Sequence, residues 1–157
     1  MRRPLLLLVV LLAACGSPAP RPSVSDAVLP PPATQEPPEV PDPNFILVVT
    51  ESVPNPDDDG IAFTKVFVDG KEAGKTAVGR KSEERQLKLK LPLGNQPLRL
   101  EHWTLPPVGE WTRLDEDLQP RERFVRIEEG TIARLQLRLA EGESSNTLTL
   151  TREDVPR

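Results

Sequence analysis

The residues best suited to ligand binding are two tryptophans that share a segment with several carboxylates. Trp103 and Trp111 lie close to Glu110 and to the acidic run at residues 115–117. Aromatic rings stack on sugars or peptides while carboxylates accept hydrogen bonds, so the segment predicts a carbohydrate- or peptide-binding surface. The alternative is that the rings cap the end of the fold while the acids face water. Glycoside hydrolysis would need two carboxylates at a fixed separation, and we do not expect it.

An acidic loop partly matches a calcium-binding loop. Asn55, Asp57 and Asp59 place oxygen atoms at alternating positions before Gly60, and calcium prefers clustered oxygen ligands. The twelfth position of the pattern is Val66, where a bidentate glutamate is required, and no helices are predicted on either side. We therefore expect a solvated loop between strands, and these three residues are only a weak metal site.

The single histidine and the single cysteine leave little room for enzyme chemistry. If strand alternation continues, His102 shares a face with Leu98 and Leu100, which favours a packed or edge histidine over a base or ligand. One cysteine excludes an intramolecular disulfide and a cysteine-rich zinc site. We therefore expect no catalytic residues and no cofactor.

The charge balance argues against a nucleic-acid partner. The formal charge is −4, and removing Arg2 and Arg3 with an N-terminal signal would make the chain still more acidic. Nucleic-acid binding needs clustered Lys and Arg to neutralise phosphates. The polar residues that alternate with apolar ones are instead expected to pair across strands on the outer faces of a sheet. They are Lys88, Lys90, Arg99, Glu101, Arg134, Gln136 and Arg138.

The first fourteen residues have the layout of an export signal. Arg2 and Arg3 are followed by an apolar run at residues 5–12 and then by Ala13 and Ala14. Eight apolar residues make a helix of roughly 12 Å, whereas a bilayer core is roughly 30 Å thick. Residues 1–14 are therefore predicted to be a signal peptide and not a transmembrane anchor.

The tetrapeptide Leu12-Ala13-Ala14-Cys15 resembles the lipobox of bacterial lipoproteins. The resemblance implies cleavage just before Cys15 and acylation of this residue, which would anchor the protein stably to a membrane. An ordinary secretory signal that leaves a free cysteine is the alternative. Gly16 stands where aspartate would resemble an inner-membrane retention signal, so the outer membrane is favoured. The implied partners are the membrane and a protein or glycan of the cell envelope.

Residues 15–43 are expected to comprise the lipidated Cys15 and a disordered proline-rich tether. Ten of these residues are proline and few are apolar, so the segment cannot offset the entropy lost on ordering. Proline-rich chains stay extended, which suits a spacer between membrane and domain. A docking motif at residues 30–32 or 37–38 is the alternative.

Residues 44–157 are expected to form one all-β domain. Short segments rich in β-branched residues, or alternating between apolar and polar residues, recur between turn signals such as Asp69-Gly70. The predicted strands are residues 45–49, 61–69, 86–91, 98–101, 124–127, 133–139 and 147–151. Apolar residues nowhere keep helical spacing over a dozen positions. Seven or eight strands predict a single antiparallel β-sandwich.

Three stretches of this domain resemble PEGA-type surface domains, although immunoglobulin-like sandwiches present similar patterns. They are the strand–turn–strand stretch at 65–76, the hairpin at 89–101 and the late hairpin from 127 onward. The tetrapeptide that names the family is absent, its place taken by residues 56–62, and residues 105–119 form a longer connection than usual. The resemblance spans about residues 45–140. It implies a small non-enzymatic β-sandwich at a bacterial surface.

Overall fold

The computed structural model describes residues 37–106, 108–140 and 146–155. The predicted signal peptide, Cys15 and the tether up to residue 36 lie outside the described residues. The described part contains one 3₁₀ turn at Pro56–Asp58, and no helix in it is long and apolar enough to cross a membrane. The strands described are β1 (Phe45–Ser52), β2 (Ile61–Val68), β3 (Lys71–Lys75), β4 (Gly79–Arg80), β5 (Arg85–Leu89), β6 (Gly94–Leu105), β7 (Thr112–Arg113), β8 (Arg123–Ile127), β9 (Thr131–Ala140) and β10 (Thr147–Asp154).

The strands form two packed sheets, which confirms the predicted all-β sandwich. Sheet 1 has the order β10-β9-β1-β5. Sheet 2 is built on the long pair β2 and β6, extended by β3 and β4 beyond β2 and by β7 and β8 beyond β6. One pair in sheet 1, β1 with β9, is parallel. A parallel pair needs a long connection, and all six strands of sheet 2 lie between these two in the chain.

Strand β1 is buried on both faces, which explains its unbroken apolar sequence. Ile46 and Val48 face away from the core, yet they are only 7% and 4% exposed. The neighbouring strands place Lys88 and Arg134 level with Ile46. Long charged side chains cover apolar surface with their aliphatic stems while their charged groups stay in water. Some of the alternating polar residues of sheet 1 therefore shield β1 as well as facing solvent.

The space between the sheets is filled almost entirely by aliphatic side chains. Phe45 is the only aromatic residue in this core. The structure describes all six aromatic residues of the protein, so the other five lie elsewhere. The aliphatic members are Leu47, Val49, Val66, Leu87, Leu89, Leu91, Leu98, Leu100, Val125, Ile127, Ala133, Leu135, Leu137 and Leu139. The strict alternation of leucines in β5 and β9 thus places one row of each strand in this core.

The sequence predicted the first hairpin turn of sheet 2 but not the two shortest strands of that sheet. Asp69 and Gly70 have φ angles of 50° and 74°, as a two-residue hairpin turn requires, and they join β2 to β3 as predicted. Strands β4 and β7 were not predicted, because two residues are too few to show a period. Strand β6 begins at Gly94, earlier than the predicted strand at 98–101, and continues to Leu105.

The path of the chain distinguishes the two ends of the sandwich. The entry end is where the chain reaches Phe45, and the far end is where β1 finishes at Ser52, roughly 23 Å away at about 3.3 Å per residue.

Asn44 closes the entry end. Its Nδ2 donates to the Leu91 carbonyl at 2.8 Å, and its Oδ1 accepts from the Leu91 amide at 2.7 Å. Its own carbonyl accepts from the Ala133 amide at 2.9 Å, which ties β9 to the same point.

Candidate functional site

Four polar side chains meet inside the far end of the sandwich, and we call them the inter-sheet cluster. Glu51 on β1 and Arg85 on β5 come from sheet 1, and Thr64 on β2 and His102 on β6 come from sheet 2. Arg85 Nη2 lies 2.9 Å from Glu51 Oε2, which lies 3.3 Å from His102 Nε2. Thr64 Oγ1 is hydrogen-bonded to His102 Nδ1 at 2.9 Å. His102 is thus a packed histidine that joins the two sheets.

The charge states of the cluster follow from its burial. Burial lowers the pKa of His102 below its usual value of 6.5, because the imidazolium would lose its hydration, and Glu51 opposes this only in part. Burial alone would raise the pKa of Glu51. The nearby imidazole of His102 and the hydrogen-bonded guanidinium of Arg85 outweigh that effect and hold the pKa of Glu51 below its usual value of 4.5. At neutral pH the cluster holds an ionised Glu51, a cationic Arg85 and an uncharged His102.

Two nitrogen atoms of the inter-sheet cluster have unmet hydrogen-bonding capacity. Within the described residues, His102 Nε2 and Arg85 Nε are buried and have no hydrogen-bond partner. Nε2 lies near Glu51, but without the alignment of a hydrogen bond. A buried polar atom left unpaired costs roughly 1–3 kcal/mol. The far end therefore gains less stability from its contacts than their number suggests.

The inter-sheet cluster has the residue types of a hydrolytic triad but not its accessibility. A carboxylate, an imidazole and a hydroxyl follow one another in contact, as they do in serine hydrolases. A nucleophile must reach its substrate, however, and both Thr64 and His102 are 0% exposed. The nearby cavity of about 350 Å³ is lined by Glu51, Arg138 and Thr147 but by neither Thr64 nor His102. The geometry suits a connection between sheets.

Gln119 was missed by the sequence analysis and holds the long connection after β7 against β6. Its Oε1 accepts from the His102 amide at 2.9 Å. Its Nε2 donates to the Leu114 carbonyl at 2.8 Å and to the His102 carbonyl at 3.3 Å. The side-chain amide thus pairs with the backbone of β6 as a neighbouring strand would. No sequence pattern marks a lone glutamine for this role.

Trp103 and Trp111 come together on the outer face of sheet 2, with Phe63 between them. The Phe63 ring is stacked with Trp103 at a centroid distance of 6.2 Å and meets Trp111 edge-on at 5.0 Å. Phe63 is only 2% exposed although it faces away from the core, and both tryptophans are half-buried. Glu110 is exposed beside them. Phe63 was missed, because alternation along residues 61–68 does not show which of the two rows faces the core.

The acidic loop holds its own shape through its oxygen atoms. Asn55 Oδ1 accepts from the Asp57 amide at 3.2 Å and caps the 3₁₀ turn. Asp59 accepts from the Ser82 amide at 3.0 Å and from the Ser82 hydroxyl at 2.8 Å, and these bonds lower the pKa of its carboxyl. Within residues 37–106, 108–140 and 146–155, no group of three or more His, Cys, Asp or Glu residues is arranged to hold a metal ion.

No family profile, curated protein or solved structure matches this chain. The resemblances to a lipobox and to PEGA-type domains are therefore still predictions from the sequence.

Proposed function

We propose that this protein is a lipoprotein of the bacterial cell envelope, anchored to a membrane through acyl chains on Cys15. Its β-sandwich acts as a non-catalytic interaction or structural module. The observation that carries the proposal is the order of segments: a signal-like run ending in a lipobox-like tetrapeptide, a proline-rich stretch and then a sandwich. Gly16 after Cys15 favours the outer membrane.

The layout of the sandwich supports an anchored module. The chain reaches β1 at the entry end, and the tryptophans and the acidic loop lie at the opposite end. A tether at the entry end directs these residues away from the membrane, where envelope partners are available. The buried state of Thr64 and His102 supports a module without catalysis.

The anchor is tested by replacing its cysteine. Cys15→Ala should abolish incorporation of labelled palmitate in a bacterial host and leave the precursor uncut by the lipoprotein signal peptidase. Ser17→Ala is the matched control, because it alters a residue two positions beyond Cys15 and should leave labelling unchanged. If the Cys15→Ala protein matured normally and stayed in the membrane fraction, the lipoprotein proposal would be wrong.

A second candidate function is that of a carbohydrate- or peptidoglycan-binding module that uses Trp103 and Trp111. Its support is the placement of both partly exposed rings around Phe63 on one surface. The protein has only these two tryptophans, so its tryptophan fluorescence reports on this surface alone. Titration with soluble chito-oligosaccharides or peptidoglycan fragments should change the emission. An unchanged emission at saturating glycan would contradict this function.

A further inference from the structure

The aromatic residues of this protein are concentrated on one outer surface. Only Phe45 of the six aromatic residues lies in the core. The other five lie on the outer face of sheet 2, which we call the aromatic face: Phe63, Phe67, Trp103, Trp111 and Phe124. Aromatic side chains bury the largest apolar areas, so a sandwich that needed them for stability would place them between its sheets. Phe63 is itself buried beneath this face, so the four other rings, which are partly or largely exposed, are the ones that indicate a binding surface.

The strand register arranges the aromatic face in rows. Phe63 is level with Trp103, and Phe67 is level with Arg99, whose guanidinium lies 3.9 Å from the Phe67 ring centroid. At the entry end of β6, Phe124 is level with Pro97 and is 73% exposed. Residues on one face of a strand repeat about every 7 Å, so the rows from Trp103 to Pro97 extend over roughly 20 Å.

Most charged side chains between these rows are paired with one another, and Lys75, level with Lys65, lies over the Phe63 ring with its Nζ 5.8 Å from the ring centroid. Lys65 Nζ lies 3.1 Å from Glu72 Oε2. Glu101, level with Lys65 in the middle of the face, contacts the guanidinium of Arg99 and lies 3.6 Å from Arg113 Nη1. A strongly charged partner would have to break these pairs. The face therefore suits a ligand with little charge of its own and many hydrogen-bonding groups.

We propose that the aromatic face binds an extended, largely uncharged glycan strand that lies along β6. A protein interface has a contiguous apolar centre with its charges at the rim, whereas here the Lys65–Glu101 row crosses the middle. A glycan offers apolar ring faces and hydroxyls at regular intervals, which match alternating aromatic and polar rows. This inference rests on the second candidate function and adds Phe67, Arg99 and Phe124 to the two tryptophans.

The test measures binding of the purified full chain in detergent to peptidoglycan sacculi and to chitin by co-sedimentation. Phe124→Ala should weaken binding about tenfold, the size of effect expected for a ring that anchors an interface. The ring is largely exposed, so the variant should fold and melt as the parent protein does. Leu93→Ala is the matched control, since this side chain is 59% exposed in the turn before β6, beyond the rows that run from Trp103 to Pro97.

The outcomes separate the further inference from the functions on which it rests. Weaker glycan binding by Phe124→Ala, with unchanged binding by Leu93→Ala, supports the aromatic face. Normal binding by Phe124→Ala overturns it, and a loss confined to Trp111→Phe would then restrict the site to the tryptophans. Absence of binding to either glycan overturns both glycan proposals and leaves the anchor at Cys15 standing. Self-association that Phe124→Ala abolishes, without glycan binding, would identify a protein interface and also overturn the inference.

Discussion

The two ends of the sandwich are closed by different chemistry. At the entry end, Asn44 satisfies both hydrogen-bonding groups of Leu91, directly beside the aliphatic core. At the far end, the same inter-sheet space is occupied by a buried ion pair and by His102, and two nitrogen atoms there lack partners within the described residues. The entry end combines apolar burial with satisfied polar groups, whereas the far end carries the energetic cost of buried charge.

This difference indicates which end of the sandwich is not optimised for stability alone. A chain optimised only for stability would continue its leucine rows to both ends of the sheets. Here the rows end in Glu51 on β1 and Arg85 on β5, and the half-buried tryptophans lie at the same end. The far end is thus the part of the molecule where departures from simple packing collect, and such departures are typical of functional regions.

The largest effect should come from removing the buried carboxylate. Glu51→Ala leaves the guanidinium of Arg85, which is 3% exposed, without its counter-ion. Breaking a buried pair from one side typically costs about 3–5 kcal/mol. Urea unfolding should show that loss. Glu72→Ala is the control, because its pair with Lys65 is exposed and should cost less than about 1 kcal/mol.

The contrast between the ends would fail if both glutamate variants unfolded at the same urea concentration. That result would mean that water reaches Arg85 readily, so that the far end is not a buried ionic site. Double replacement by Glu51→Leu and Arg85→Leu sharpens the test. Replacing a buried pair with apolar residues is often neutral or stabilising, so the double variant should recover most of the loss seen with Glu51→Ala.

The sequence predicted the fold well because its strongest signals are local. The alternating leucines of β5 and β9 and the Asp69-Gly70 turn each report their own conformation. The pairing of β1 with β9 depends on residues far apart in the chain, and no local pattern could predict it. The role of Gln119 was unpredictable for the same reason, because it depends on how closely this side chain approaches β6 in the folded protein.

The inter-sheet cluster was only half predictable. The face shared with Leu98 and Leu100 correctly indicated that His102 is packed. Its partners were missed because the predicted strands stopped at residue 49 and began at residue 86. Continuing the alternation by one step in each strand would have placed Glu51 and Arg85 on the core face. Charged residues are rarely buried unless they are paired, so a single-strand pattern gives no reason to extend the strand through them.

A smaller effect is expected from the matching change at the entry end. Asn44→Ala removes both hydrogen bonds to the backbone of Leu91, whose amide and carbonyl lose their partner. An unsatisfied buried group costs roughly 1–3 kcal/mol, but both Leu91 groups are uncharged and water can bind to them in the space that the side chain leaves, so the variant should lose less stability than Glu51→Ala. Amide hydrogen exchange should show faster exchange at Leu91. Unchanged protection there would mean that another group closes the entry end.

The smallest expected effect is a pH dependence that belongs to the far end alone. The charged groups that act on His102 are Glu51 from β1, Arg85 from β5 and Lys81 from the segment before β5. Glu51 favours the imidazolium, whereas burial and the two cations disfavour it, and the folded protein keeps the pKa of His102 below 6.5. The protein has no other histidine, so no histidine at the entry end titrates in this range.

The sign of this dependence follows from proton linkage. The unfolded chain binds a proton at His102 near pH 6.5, while the folded protein resists it, so stability is complete above that pH and falls as the pH drops below it. Glu51, whose pKa is also lowered by folding, adds a further loss below pH 4.5. The free energy of unfolding should therefore decrease between pH 7.5 and 5.5, and His102→Gln should flatten this slope whatever its absolute stability. An equal slope in the two proteins would show that another group titrates, and the far end would then no longer differ from the entry end in its response to acid.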